Sequence, residues 1–572
     1  TNSANFTATI PGLRVELDGK GIPRFIFPAG YSMDDDNVYT TMQLQYRPSE
    51  SELTEDQASL DLDYKTDWPV VSGFETGVQF RETESLFYGG GGYLDAATQV
   101  NVPTLNINLT ANLAPGTQAN TTVNGTAINS YYRTYGWNTA TFAQALAQSS
   151  RSPGTFYDGY SVSGIPSSWR MPVYADLAAF FPAADVANFN HDGLRKIDVN
   201  GVTYDQFPGN DITEDVGAGY FKVNLATEVF GMQLRGNVGV RYVKTETQAG
   251  GTQTRRERRA APTPTNPAAF ADVTVGNSYV AIDREYSDTL PSLNLQLEIN
   301  DQFNVRLGYA KLMSRPAISS LAPAVNCLYD TRDGFSSDAD ADDCTAGNPD
   351  LKPYRASSYD LEFAWYPTNE IEMRLGGFYK DIDTFILGNT LVRNVDLFGD
   401  GRVFDVTQPI NGEGAKTQGI EASIQAPFTF LPGWASGFGG LANYTYTDAT
   451  NVNLFSQLDG SELPFPGLSK NSYNLVLYYD KGPVNARVAW NGRSDWLAAA
   501  ADRSGNPVYR TGEKYLDARF QYRFLDDKAS VFVEAKNLTD QAAISSAGSD
   551  IRLSELGWPG RRYFVGMTFK LD

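Results

Sequence analysis

A large antiparallel transmembrane β-barrel, an all-β fold, is what this sequence predicts, and three observations predict it. Stretches in which apolar and polar residues strictly alternate recur along the chain. No apolar run reaches the roughly 18 residues of a membrane helix. The connections between alternating stretches are by turns very short and very long. The chain has 572 residues, 41% hydrophobic and 13% aromatic, enough for a large folded body. Its mean hydropathy of −0.34 does not argue against a membrane. A barrel strand of about 9–11 residues shows only every second one to lipid.

In chain order, Val38 to Tyr46 is expected to be a wall strand, one of roughly two to four in the first 56 residues. Phe74, Thr76, Val78 and Phe80 alternate with Glu75, Gly77, Gln79 and Arg81, the period of a two-faced strand. Leu234, Gly236, Val238, Val240 and Tyr242 do the same against Arg235, Asn237, Gly239 and Arg241. Leu293 to Ile299 and Phe303 to Tyr309 flank Asn300-Asp301 as a hairpin. Further hairpins join Tyr359–Trp365 to Ile371–Tyr379, Ile420–Phe430 to Trp434–Tyr446, and Tyr473–Tyr479 to Val484–Trp490. The last joins Leu516–Phe524 to the strand from Ala529. From Gln57 to Lys570 the pattern gives about fifteen strands.

The short connections include Asp67-Trp68-Pro69, Phe230-Gly231, Lys481-Gly482 and Leu525-Asp526-Asp527. The long ones run over Ser85–Val216, Gln248–Arg284, Arg315–Ala356, Ile382–Lys416, Asp448–Leu468, Ala498–Gly512 and Gln541–Pro559. Turns on one side and loops on the other describe an outer-membrane barrel, with lipid on its apolar face and a wet lumen inside.

"LMSRPAISSLAP" (Leu312 to Pro323), "AGNPDLKPYRASSYDLEFAWYP" (Ala346 to Pro367), "QPINGEGAKTQGIEASIQ" (Gln408 to Gln425), "VEAKNLTDQ" (Val533 to Gln541) and the closing "GRRYFVGMTFK" (Gly560 to Lys570) resemble the barrel of a TonB-dependent outer-membrane receptor. The resemblance is to the Caulobacter- and Xanthomonas-type branch. It implies a barrel of about 22 strands over residues 1–572, with 85–216 as the longest extracellular loop region. The family's plug domain and first strands are expected to lie outside this chain. The implied function is active transport in the outer membrane of a Gram-negative bacterium. Loops bind a scarce solute, and TonB, with ExbB and ExbD, energises its import through the missing N-terminal region. The solute expected is an oligosaccharide, with an iron chelate (siderophore) or cobalamin as the alternative and a passive porin as the reading of another class. Outer-membrane lipid and lipopolysaccharide are the expected surroundings. A net charge of −21 sets nucleic acid aside.

No catalytic residue and no cofactor is expected, since His191 is the only histidine and nucleophilic catalysis needs a base beside a nucleophile. Cys327 and Cys344 fall in one extracellular loop, on the oxidising side, and are expected to form a disulfide worth about 3 kcal/mol in chain entropy. Between them Asp338, Asp340 and Asp342 offer structural calcium a set of carboxylates. They lack the glycine and terminal glutamate of an EF-hand loop, and a solvated acidic loop is the plainer reading. Tyr131, Tyr132, Tyr135, Trp137 and Trp169 in the longest loop, with Trp496 on another, are the candidate solute-binding residues. Flat aromatic faces beside polar groups suit sugar or aryl rings. "RRERR" (Arg255 to Arg259) either meets lipopolysaccharide phosphates or is solvated. Trp365, Trp434, Tyr473, Tyr479 and Trp490 sit near strand ends, where interfacial girdles stand.

Overall fold

Alternating stretches become strands here because a pleated backbone sends successive side chains to opposite faces. The structure, a computed structural model, describes residues 2–8, 12–17, 23–32, 39–46, 49–89, 93–95, 100–101, 105–110, 118–123, 126–136, 139–151, 170–181, 183–186, 196–199, 202–205, 207–260, 270–331, 342–502, 504–549 and 552–570. The wall begins with β1 (Glu50–Lys65), β2 (Val71–Tyr88), β3 (Asn210–Val229), β4 (Met232–Ala260), β5 (Phe270–Asn300) and β6 (Phe303–Ser314). Two short strands follow, β7 (Val325–Asp330) and β8 (Asp343–Ala346). The wall resumes with β9 (Tyr354–Thr368), β10 (Ile371–Val395), β11 (Phe404–Pro427), β12 (Phe438–Thr450), β13 (Asn471–Lys481) and β14 (Val484–Arg493). After β15 (Trp496–Ala499) and β16 (Val508–Arg510) come the wall strands β17 (Glu513–Phe524) and β18 (Ala529–Lys536). Then β19 (Ala543–Ala547) and β20 (Leu553–Gly557) precede the last wall strand, β21 (Arg562–Phe569).

Each wall strand runs antiparallel to the next, from β1 to β21. The register puts like with like. Leu295, Leu307, Leu361, Gly377, Ile420 and Tyr446 form one row across neighbouring strands, and Phe520, Val533 and Val565 form another. This is the lipid face. On the other face Arg306 donates to Gln296 at 3.1 Å and to Glu362 at 3.0 Å, Lys222 meets Glu75 at 2.7 Å, and the Tyr220 hydroxyl donates to Asp61 at 2.8 Å. Several lumen charges are paired with one another across the strands. Aromatic contacts mark both ends of the wall. Phe303–Trp365 and Trp434–Phe438–Tyr479 lie toward the short turns, and Tyr309–Tyr359–Tyr379 and Tyr473–Trp490 toward the long hairpins.

The short turns are left-handed where they must be tight. Phe230 and Gly231 have φ of 52° and 79°, the paired positive values of a type I′ hairpin turn. Closure takes two forms. In barrel order β21 is followed by β1, yet no residue register joins them among the described residues, and both are exposed along almost their whole length. A complete ring forms instead at the long-hairpin end, through β7 and β8.

Two expectations are corrected. Tyr39–Tyr46 is a strand but does not join the wall. It pairs with Asn2–Ala8 and Leu105–Thr110 in a separate five-stranded sheet that also takes in Gln118–Val123 and Thr126–Gly136. Met42 and Leu44 are buried there against Ala145, Leu146, Leu177 and Phe181. One apolar face looks the same in sequence whether it meets lipid or a small core. Second, several expected loops are strand extensions. β4 runs on to Ala260, β5 resumes at Phe270, and β10 and β11 reach Val395 and Phe404. Above the membrane both faces are wet, so no apolar alternation announces a strand.

Candidate functional site

The extended hairpins make an extracellular mouth. β3 ends where Asn210 pairs with Gly251, which frees that edge of β4 above it. β7 fills the edge in parallel, from Gln253↔Val325 to Arg258↔Asp330. β8 returns antiparallel to β7 and pairs in parallel with β11 over Asp343↔Asp405 to Thr345↔Thr407. The hairpin therefore bridges two distant parts of the wall. Cys327 and Cys344, opposite one another in the register, are joined as a disulfide with their Cα atoms 4.1 Å apart.

Alternation gives this bridge two faces. Val325, Cys327, Cys344, Phe404 and Val406 are buried together, with Tyr329, Val395, Leu397 and Phe398 packed round them. Ion pairs lock this small core from outside: Arg255 to Asp400 at 2.8 Å, and Glu257 to Arg259 at 2.7 Å and Arg402 at 2.9 Å. The Arg255 guanidinium also lies 4.7 Å from the Phe398 ring centre, and that of Arg402 lies 4.8 Å from Tyr329. Hydrogen bonds from Arg259 and then Arg402 hold the Glu257 carboxyl below its ordinary range. "RRERR" thus supplies a lock between hairpins.

Beneath the bridge, the segment after β6 turns inward. Leu321, Ala322 and Leu351 pack on Ile212 and Ala249 of the wall, and Glu214 takes Arg81 at 3.1 Å and Arg315 at 3.0 Å. Backbone passes close to backbone here. A Cβ on Gly347 would stand 2.1 Å from the Ala322 carbonyl oxygen, so only glycine fits. Between bridge and wall lies a cavity of about 950 Å3, lined from β2 (Phe87), β4 (Thr252, Thr254), β7 and β8 (Asn326, Thr345), β10 (Ile386), β11 (Thr407) and the segment Ala498–Asp502. Its lining holds no lysine or arginine among the described residues. The one carboxylate, Asp502, already accepts the backbone N–H groups of Ser504 at 2.8 Å and Asn506 at 2.9 Å.

Among the residues nominated by sequence, Tyr131, Tyr132, Tyr135, Asp342 and Trp496 lie in described segments. Tyr131, Tyr132 and Tyr135 have backbone in the strand Thr126–Gly136 of the separate sheet. Trp137, Trp169, His191, Asp338 and Asp340 lie outside the described residues. Asp342 is placed: its Oδ1 accepts the Asp330 N–H at 3.1 Å, and burial pushes its carboxyl up. Among the described residues no three His, Cys, Asp or Glu side chains gather as a metal site. Trp496 starts β15, in a four-stranded rim sheet with β16, β19 and β20. Its ring lies 3.7 Å from the Arg493 guanidinium and 5.7 Å from that of Arg510. Two cations already occupy it, and it does not line the cavity. The polar residues that the bridge brings to its lining, Asn326, Thr345 and Thr407, carry no sequence signal, because nothing local forecasts a parallel bridge.

A family model described as TonB dependent receptor-like, beta-barrel, matches residues 20–538. No curated protein matches the chain. Among solved structures it is similar to the ferric-catecholate import receptor Fiu of E. coli K12 in its closed form, at 16% identity and TM-score 0.46, over 93% of this chain and 57% of that one. It is similar to the siderophore receptor PiuA of Acinetobacter baumannii at 12% identity and TM-score 0.47, over 93% of this chain and 57% of that one. A mutant of the ferric enterobactin receptor PfeA of Pseudomonas aeruginosa stands at 12% and 0.40, over 93% of this chain and 62% of the other. The chain spans about three-fifths of the length of these receptors.

Proposed function

Because the chain belongs to the TonB-dependent receptor-like β-barrel family, whose model covers residues 20–538, we propose that it is the barrel of an importer for neutral oligosaccharides. Barrels of this family lie in the outer membrane of Gram-negative bacteria, and so does this one. The solute is captured at the mouth, held in the cavity under the bridge, and drawn through the lumen when TonB pulls on the plug of the complete protein. The chain's own residues then bind and position, and none performs chemistry on the solute.

The observation that carries the solute class is the lining of the cavity, which at about 950 Å3 has room for a short glycan and, among the described residues, contains no lysine or arginine. An anionic ferric chelate would call for guanidinium or ammonium groups. Arg255, Arg402, Arg315 and Arg510 are already paired with Asp400, Glu257, Glu214 and Glu513. The loop aromatics Tyr131, Tyr132, Tyr135, Trp137 and Trp169 would add stacking during capture.

Titration calorimetry on the full-length receptor in detergent, with neutral oligosaccharides and with ferric catecholates, tests this. Glycan binding without chelate binding is expected. Chelate binding with silence from every glycan would replace the reading with a siderophore receptor.

A further inference from the structure

One row of the bridge carries polar side chains that the disulfide core does not use. Thr254 of β4, Asn326 of β7, Thr345 of β8 and Thr407 of β11 are consecutive partners in the register, so they stand side by side across four strands. All four line the cavity. The alternate row, Arg255, Cys327, Cys344 and Val406, belongs to the disulfide core and its arginine lock. Pleating therefore aims the polar row away from that core. Asn326 and Thr345 are exposed, and among the described residues no hydrogen bond holds the side chains of Asn326, Thr345 or Thr407. They are open donors and acceptors inside a cavity, spaced by the strand separation of about 4.8 Å.

We infer that this row is a hydroxyl-reading strip, and that Asn326, Thr345 and Thr407 set the solute class by hydrogen-bonding the hydroxyl groups of a neutral polyhydroxylated ligand. The inference rests on the neutral-glycan reading above. An amide and hydroxyls both donate and accept, which matches a sugar hydroxyl that does the same. A charged chelate would gain little from them. A site built this way discriminates strongly, because a ligand lacking the hydroxyls leaves the strip's polar groups unpaired. The disulfide keeps β7 and β8 in register, and so keeps Asn326 beside Thr345.

The test is calorimetry of the full-length receptor with maltotriose, cellotriose and xylotriose, on the wild type and on Asn326→Leu, Thr345→Val and Thr345→Ser. For whichever trisaccharide binds the wild type, the first two variants should weaken binding by about 5- to 10-fold, and Thr345→Ser should stay within about 2-fold. Circular dichroism and a thiol count establish that barrel and disulfide are intact in each variant. Wild-type binding with unchanged affinity in Asn326→Leu and Thr345→Val would refute the strip and leave the glycan reading standing. Wild-type failure to bind any of the three while binding a ferric catecholate would remove that reading, and the strip with it.

Discussion

Glu257 shows how one side chain ties separate hairpins together, since it receives Arg259 from its own strand and Arg402 from the tip of the β10–β11 hairpin. Its carboxyl is held below the ordinary 4.5. A depressed carboxyl contributes stability that is fully present above that ordinary value and is lost as pH falls through its folded value. Acidification to below the ordinary carboxylate range should therefore loosen the β10–β11 tip, and Glu257→Gln should loosen it at neutral pH. Amide hydrogen exchange over residues 396–402 reads both. Protection unchanged by the substitution would mean that the lock contributes nothing. Gly347 is the other sensitive residue, because the atom its Cβ would meet is backbone oxygen and cannot swing away. Gly347→Ala should cost about 1–3 kcal/mol, seen as lower thermal stability of the purified barrel. Neither residue stands out in the sequence. "RRERR" reads as a charged tract until β11 brings Asp400 and Arg402 to it, and Gly347 reads as an ordinary turn glycine.

The β7–β8 hairpin is held by its covalent cross-link as well as by its hydrogen bonds. It docks through six register pairs to β4 and three to β11, both short parallel ladders at the wet end of the molecule. Cross-linking Cys327 to Cys344, 17 residues apart, restrains the unfolded loop by about 3 kcal/mol. Cys327→Ser with Cys344→Ser should therefore release the hairpin while leaving the wall folded. Exchange protection should fall at Gln253–Arg258 and Asp405–Thr407 and persist at Leu295 and Leu307. Loss of protection throughout the wall would show instead that the hairpin is needed for folding. The cysteine pair itself was legible, from two cysteines on the oxidising side of the membrane. Its docking was not, because parallel partners far apart in the chain leave no mark on the residues between them. The wall strands were legible for the opposite reason. Lipid on one face and water on the other write the period directly into residues such as Leu475, Leu477, Val488 and Trp490.

The wall as a whole raises a question of parity. Fifteen strands run in unbroken antiparallel sequence from β1 to β21 among the described residues, so the first and last point the same way along the barrel. Joining them directly would require a parallel pair, whereas bacterial outer-membrane barrels of this kind have even strand numbers. The two strands accordingly share no register, and they expose Leu60, Leu62, Tyr64, Val565 and Met567. The alternation at Val38–Tyr46 predicts one of the missing strands, and the structure places Tyr39–Tyr46 in the separate sheet. The shortfall against a plugged barrel of about 22 strands is odd, which is what antiparallel closure between β1 and β21 needs. An odd number of further strands at this seam would let the wall close antiparallel. Cysteines at Leu60 and Val565 test it in native outer membranes, since a disulfide forms only between strands whose Cβ atoms come within about 4.5 Å. The pair should fail to cross-link, and the intact mass of the protein extracted from those membranes should lie well above 62.7 kDa. Efficient cross-linking at a mass of 62.7 kDa would mean that this wall closes on itself without a plug, and solute would then cross it by diffusion rather than by TonB-driven import.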